Sequence, residues 1–224
     1  MELIETFFNW DILIRSFPIL MRGLGNTVLL GCSAIVVGTV CGLLLCLVRL
    51  YAPRPIQLLA IGYIDIFRAM PVLVILILIY YALPFVGVSL SSWASAVLAF
   101  SIIMAAYSAE VFRSGIEAIP KGQFEAAQAL GLPFVLTLRK VVLPQAIRLV
   151  IPPATSNCVS MFKDTSLAST VALPELLKEA TNAQSLYANP TPLIGAALVY
   201  LVFLWPMVRL VSMLEKRFSA EKRR

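Results

Sequence analysis

No histidine occurs anywhere in the 224 residues, so the commonest general acid/base and the commonest biological metal ligand are both missing. Charge is scarce as well. Asp, Glu, Lys and Arg make up 13% of the chain, against roughly 25% in soluble domains, while 60% of it is apolar. No Gly-x-x-x-x-Gly-Lys-Ser/Thr phosphate loop appears, so the chain carries no P-loop nucleotide site of its own. The four cysteines, Cys32, Cys41, Cys46 and Cys158, lie inside apolar runs at spacings that fit no zinc or redox motif, and are expected to act as small buried hydrophobes. The net charge of +6 is spread between apolar runs instead of gathering on one soluble face, which argues against nucleic acid as a partner. The start carries Glu2, Glu5 and Asp11 and lacks a basic n-region, so no cleaved leader is expected.

What is abundant is uninterrupted apolar sequence. The runs 23–48 and 69–109 contain no charge, and each exceeds the roughly 20 residues that cross a bilayer. An integral membrane protein made of α-helices follows. The first expected span is 23–48, closed by Arg49 and Arg54. The longer run is divided by Leu83-Pro84-Phe85-Val86-Gly87 and the serines after it, giving spans at 56–83 and 91–113. A further span runs over 190–212. Residues 148–173 are less apolar, being interrupted by Pro152, Pro153, Lys163 and Asp164. Charge asymmetry nevertheless requires them to cross. The segment 113–148 carries Arg113, Lys121, Arg139, Lys140 and Arg148, and 209–224 carries Arg209, Lys216, Arg217, Lys222, Arg223 and Arg224. Both groups belong on the cytoplasmic side, so two crossings separate them. Five spans result, with the N-terminus outside and the C-terminus cytoplasmic.

The one sizeable polar segment, 114–147, is too short for a domain and is expected to form helices lying on the inner face. Gln123 to Leu130 is a strong helix-forming string after Pro120, with Gly131 as its C-cap, and a second short helix is expected from about Pro133 until Pro144. The first of these helices is largely alanine, so a partner's backbone can approach closely, and Glu125 offers it one charge.

Glu125-Ala126-Ala127, then Gly131, then Val141-x-Leu143-Pro144 resembles the EAA box of membrane subunits of ATP-binding-cassette importers, with Val141 in place of the usual isoleucine. Three further stretches resemble the polar amino acid branch of that family: Tyr63 to Pro71, Ala106 to Gly115, and Phe162-Lys163-Asp164-Thr165-Ser166-Leu167. The resemblance implies a type I importer fold, one permease domain over 1–224, and a bacterial inner-membrane location. Glu125, Ala126, Ala127, Leu130 and Gly131 would then couple to a separate ATPase, which alone would bind ATP and Mg. The implied partners are an ABC ATPase dimer, a second permease copy or homologue, a periplasmic amino-acid-binding protein and the surrounding lipid, with a polar amino acid as substrate. The chain itself would be no enzyme and hold no cofactor.

Charges within the spans are costly and so are functional hypotheses. Asp65 with Arg68, and Glu110 with Arg113, are each three residues apart and are expected to pair on one helix face. Lys163 and Asp164 are adjacent, about 100° apart on a helix, and need other partners. Two readings stand for them. They form an inter-helix structural pair, or they line a path, with Thr165, Ser166, Arg68 and Glu110, that receives the ammonium and carboxylate of an amino acid. The path reading is helped by a helix break expected at Pro152-Pro153. A transporter or channel driven by an ion gradient is the alternative function, since intramembrane Asp and Lys are typical there too.

Overall fold

The computed structural model describes residues 6–221, so Glu2, Glu5, Lys222, Arg223 and Arg224 lie outside the described residues. It is all helical. Helix α1 (Trp10–Tyr51) runs for 42 residues, about 60 Å, which is twice the hydrocarbon thickness. It therefore begins well before the expected span at 23–48 and carries Arg15, Pro18 and Arg22 in its leading turns. Asn9 caps it, accepting a hydrogen bond from the Ile12 N–H at 3.1 Å.

Small residues set how α1 packs. Its buried positions Thr27, Leu30, Gly31, Ala34, Gly38, Gly42 and Cys46 recur at steps of three and four, forming a seam along one face. The seam lies against helix α4 (Ser92–Glu117), whose own buried face is rich in alanine and serine. A Cβ at Gly38 would sit 2.5 Å from the Met104 Cβ, and one at Gly42 2.6 Å from the Ser108 Cβ. The two helices are thus in backbone contact, the usual means of association in lipid, where no hydrophobic gain drives helices together.

Between them in sequence, helix α2 (Arg54–Ala69) and helix α3 (Val72–Ile77) replace the single helix expected over 56–83. The chain bends by 104° at Met70-Pro71. Proline lacks the N–H that would continue the ladder and forces the preceding residue into extended conformation; Met70 has ψ 138°. Beyond α3 the chain continues as a π-helical turn over Leu78–Ala82 and a 3-10 turn over Leu83–Val86, ended by Gly87 at φ +83° where the sequence placed its turn.

The polar segment 114–147 forms helix α5 (Lys121–Ala129) and the single turn α6 (Phe134–Thr137). The second helix does not stop at Pro144. A π-helical turn over Leu138–Val142 leads straight into helix α7 (Leu143–Asp164), in which Pro144 occupies the first turn, where no N–H is needed. Pro152 and Pro153 do not break α7 either. The departure from α-geometry comes later, as a 3-10 run over Thr165–Val171 ended by Ala172 in the left-handed region at φ 57°. Helix α8 (Leu176–Tyr187), unassigned from sequence, packs Leu176 and Ala180 between α1 and the last helix, α9 (Thr191–Glu221).

By length and composition three described helices can cross a membrane, Trp10–Tyr51, Ser92–Glu117 and Thr191–Phe218, and the bent pair makes a fourth if it is one span. α7 falls outside that set because Arg148, two prolines and the Lys163-Asp164 pair dilute its apolar content. The main core joins α1, α3, α4, α7 and the 3-10 run through Leu30, Leu76, Phe100, Met161 and Val171. Of the cysteines, Cys46 is buried and Cys158 half-buried. Cys32 and Cys41 are exposed on the helix surface, contrary to the expectation that all four would be inside.

Candidate functional site

A cavity of about 210 Å³ lies where α3, α4 and α7 meet, lined by Val72, Ile103, Met104, Tyr107, Asn157, Ser160, Met161 and Asp164. On α7 its polar residues fall at 157, 160 and 164, steps of three and four that align them on one face. The Asn157 Nδ2 is buried and finds no hydrogen-bond partner among the described residues. A buried amide donor left open in a cavity that a carboxylate also lines is costly unless something polar visits it.

Lys163 does not share this cavity. It lines a different opening, a groove against α9 with Tyr200, Leu204 and Trp205. The hydroxyls of Thr165 and Ser166 are likewise engaged. Thr165 is buried and donates to the Phe162 carbonyl at 2.7 Å, and Ser166 donates to the Lys163 carbonyl at 2.8 Å. Both follow the 3-10 geometry, in which side-chain hydroxyls bond back along the chain.

Arg68, at the end of α2 just before the 104° bend, meets the cavity through one of its lining residues. Its guanidinium stacks over the Tyr107 ring at 5.9 Å from the centroid and lies 3.8 Å from Glu110. The expected Asp65–Arg68 pair is not formed: Asp65 is exposed and has no ion pair among the described residues. The Glu110–Arg113 pair is formed, as a fork in which Nε and NH2 both donate, and Arg113 also bonds Glu117. Arg49 of α1, given no role from sequence, donates to Glu110 at 2.9 Å. One carboxylate thus holds α1, α2 and α4 together through three arginines. Arg68 is its most distant and most exposed partner.

At the end of the bundle that carries it, α5 is fastened by Phe124, half-buried against Val142 and Ala146, and by buried Ala127. Ala127 is therefore on the side of α5 turned toward its own chain, where α5 packs on the turn α6 and the π-helical turn after it. Glu125, Ala126, Gln128, Ala129 and Leu130 face out, Leu130 being 79% exposed. The helix closes with both bonds of a Schellman motif, Leu132 N–H to Ala127 O at 3.0 Å and Gly131 N–H to Gln128 O at 2.9 Å, with Gly131 at φ +73°. The expected C-cap is in place. Phe134 and Val135 extend the exposed apolar surface past it.

A second polar cluster had no counterpart in the sequence reading. Glu175 is 0% exposed and caps α8, accepting the Leu177 and Lys178 N–H groups at 2.8 and 2.7 Å and the Tyr200 hydroxyl at 2.9 Å. Burial pushes its carboxyl above the usual range, and these three donors pull it back. The available signal was Glu175 standing immediately before an apolar period at Leu176, Ala180 and Ala183. No group of three or more acidic residues or cysteines that could hold a metal ion occurs among the described residues.

Bent apolar helices around a small polar cavity, joined to a capped helix that projects from one end of the bundle, are an arrangement suited to a membrane transport subunit. Residues 34–220 match the family of binding-protein-dependent transport system inner membrane components, and the chain belongs to that family. It is similar to the probable amino-acid ABC transporter permease protein YckA of Bacillus subtilis, 39% identical over 79% of this chain and 78% of that one. It is also similar to the L-cystine transport system permease protein TcyB of the same organism, 35% identical over 96% and 93%, and to the glutamate/aspartate import permease protein GltK of Escherichia coli, 32% over 94% and 98%. Among solved structures, an amino acid ABC transporter crystallised with histidines superposes with a TM-score of 0.86 at 33% identity, over 91% of this chain and 96% of that one. The MetNI methionine ABC transporter, at 21% identity and a TM-score of 0.68, shares the fold.

Proposed function

We propose that this permease forms half of the translocation path of an ATP-driven amino acid importer, with the α4–α7 cavity as the chain's contribution to the path. The observation that carries this reading is the open Asn157 amide in the cavity that Asp164 also lines, with Arg68 stacked on the lining residue Tyr107. Asp164 would take a substrate's ammonium group, Asn157 and Ser160 would bond its polar atoms, and Arg68 would attract its carboxylate from the rim. The relatives' substrates, cystine and glutamate or aspartate, support an amino acid as the solute. Lys163 belongs to this reading only if a second permease brings the α7–α9 groove onto the path.

The same reading gives the chain five crossings, with residues 148–173 as the fourth and the N-terminus outside. It gives α5 the task of docking into an ABC ATPase through Glu125, Ala126 and Leu130, with a second permease and an extracytoplasmic binding protein completing the assembly. The test is uptake by the reconstituted transporter carrying Asp164→Asn or Asn157→Ala. Uptake should fall at least tenfold in each while the binding protein's own affinity is unchanged. Wild-type uptake in both variants would overturn the path assignment.

A further inference from the structure

A second opening has no place in transport as described so far. It is a crevice of about 510 Å³ bounded by α1, α4 and α7 and lined by apolar side chains from Leu43, Phe112 and Ile116 and by the α7 face from Leu143 to Cys158. Its single hydroxyl, Thr155, is satisfied by the Ile151 carbonyl at 2.8 Å. It is separate from the polar cavity. Ile103 and Tyr107 line the cavity and Phe112 and Ile116 the crevice; Phe112 follows Ile103, and Ile116 follows Tyr107, by nine residues, which places the two linings on opposite sides of α4. Leu43, Leu143 and Ile147 are exposed along its rim, so it opens sideways from the bundle.

The charges at its cytoplasmic end are basic. Arg139 and Lys140 stand four and three residues before Leu143, about one turn below the lowest α7 residue of the lining, and both are exposed. The acid that follows Ile116, Glu117, is already bonded by Arg113. An apolar slot that opens sideways from a membrane protein, with two exposed cations about one turn before its α7 lining, is complementary to one class of molecule, an anionic phospholipid. We infer that the crevice seats an acyl chain of such a lipid from the inner leaflet, with its phosphate on Arg139 and Lys140. The lipid would pack against α7 just above the π-helical turn that links it to α5, and so bear on the rod that meets the ATPase.

The test is native mass spectrometry of the full-length permease in detergent, titrated with phosphatidylglycerol or with phosphatidylcholine. Two cations near the phosphate give an expected preference for phosphatidylglycerol of roughly thirtyfold. Arg139→Gln/Lys140→Gln, at two exposed positions, should abolish the preference while leaving weak binding of both lipids. Ala154→Phe, which fills the slot, should remove retained lipid altogether. Equal retention of the two lipids by the wild type, or unchanged retention in Ala154→Phe with the charge variant also unaltered, would overturn the inference. A photocross-linker at Ile147 separates the remaining occupant: a lipid adduct is expected, and a chain-to-chain adduct would mean that a second permease fills the crevice instead.

Discussion

At the scale of single residues, the molecule concentrates its cost in a few polar groups. Glu110 answers three arginines at a depth where an unpaired guanidinium is expensive. Replacing it with glutamine leaves Arg49 and Arg113 with weaker acceptors, and a loss of about 2–4 kcal/mol is expected, seen as a lower detergent-unfolding temperature with the chain still inserted. Arg68→Gln should cost far less stability, because its side chain is already 40% exposed. Glu175 makes a pH prediction. Its carboxyl titrates above the unfolded value, so the stability tied to its proton is fully present below the ordinary carboxylate range and is lost as pH rises through the folded value. Thermal unfolding across that range should show this decline in the wild type and a flatter profile in Glu175→Gln. These residues differ in how visible they were. Glu110 and Arg113 announce themselves by spacing, whereas Arg49 lies 61 positions from Glu110, and no local pattern reveals a partner that only packing supplies.

At the scale of elements, glycine and proline decide what apolar content cannot. Runs without charge located α1, α4 and α9, because each is long and hydrophobic. The seam that joins α1 to α4 was not read, since glycines inside such a run look like any other tolerated break. Gly42→Val should separate these helices, because a side chain there meets the Ser108 Cβ and the Ala105 carbonyl at 2.6 and 2.8 Å; reduced yield of folded protein on size exclusion is the expected result, with Gly25→Val, where a Cβ meets nothing, as the silent control. Proline misled in both directions. Pro71, quoted only as part of a motif, bends its helix by 104°, while Pro152 and Pro153, expected to break α7, are accommodated within it. Context explains the difference: α7 stays helical on both sides of its prolines, whereas Met70 leaves the helical region before Pro71. Ala172 offers a cleaner test. An L-residue in the left-handed region costs about 1 kcal/mol, so Ala172→Gly should raise the unfolding temperature unless the 3-10 run needs that strain for transport.

For the molecule as a whole, what the sequence displays best is the boundary with its partners. The Glu125-Ala126-Ala127 string with Gly131 was legible because caps and helix propensity are local, and the Schellman motif forms at the expected residues. Which side faces outward was not legible: Ala127 turns inward and Leu130, Phe134 and Val135 extend the exposed patch. Glu125→Lys should leave the assembled importer intact on a gel yet disconnect fuel from cargo, measured as ATP hydrolysis that no longer rises when loaded binding protein is added. A retained response in that variant would remove α5 from the coupling role.

The elbow at Met70-Pro71 ties two distant-looking events into one. Arg68 stands two residues on one side of Met70 and Val72 two residues on the other, the first touching the arginine–carboxylate knot and the second forming a wall of the polar chamber. Any change in the angle of this joint therefore moves the anchoring ion pair and the chamber wall relative to each other.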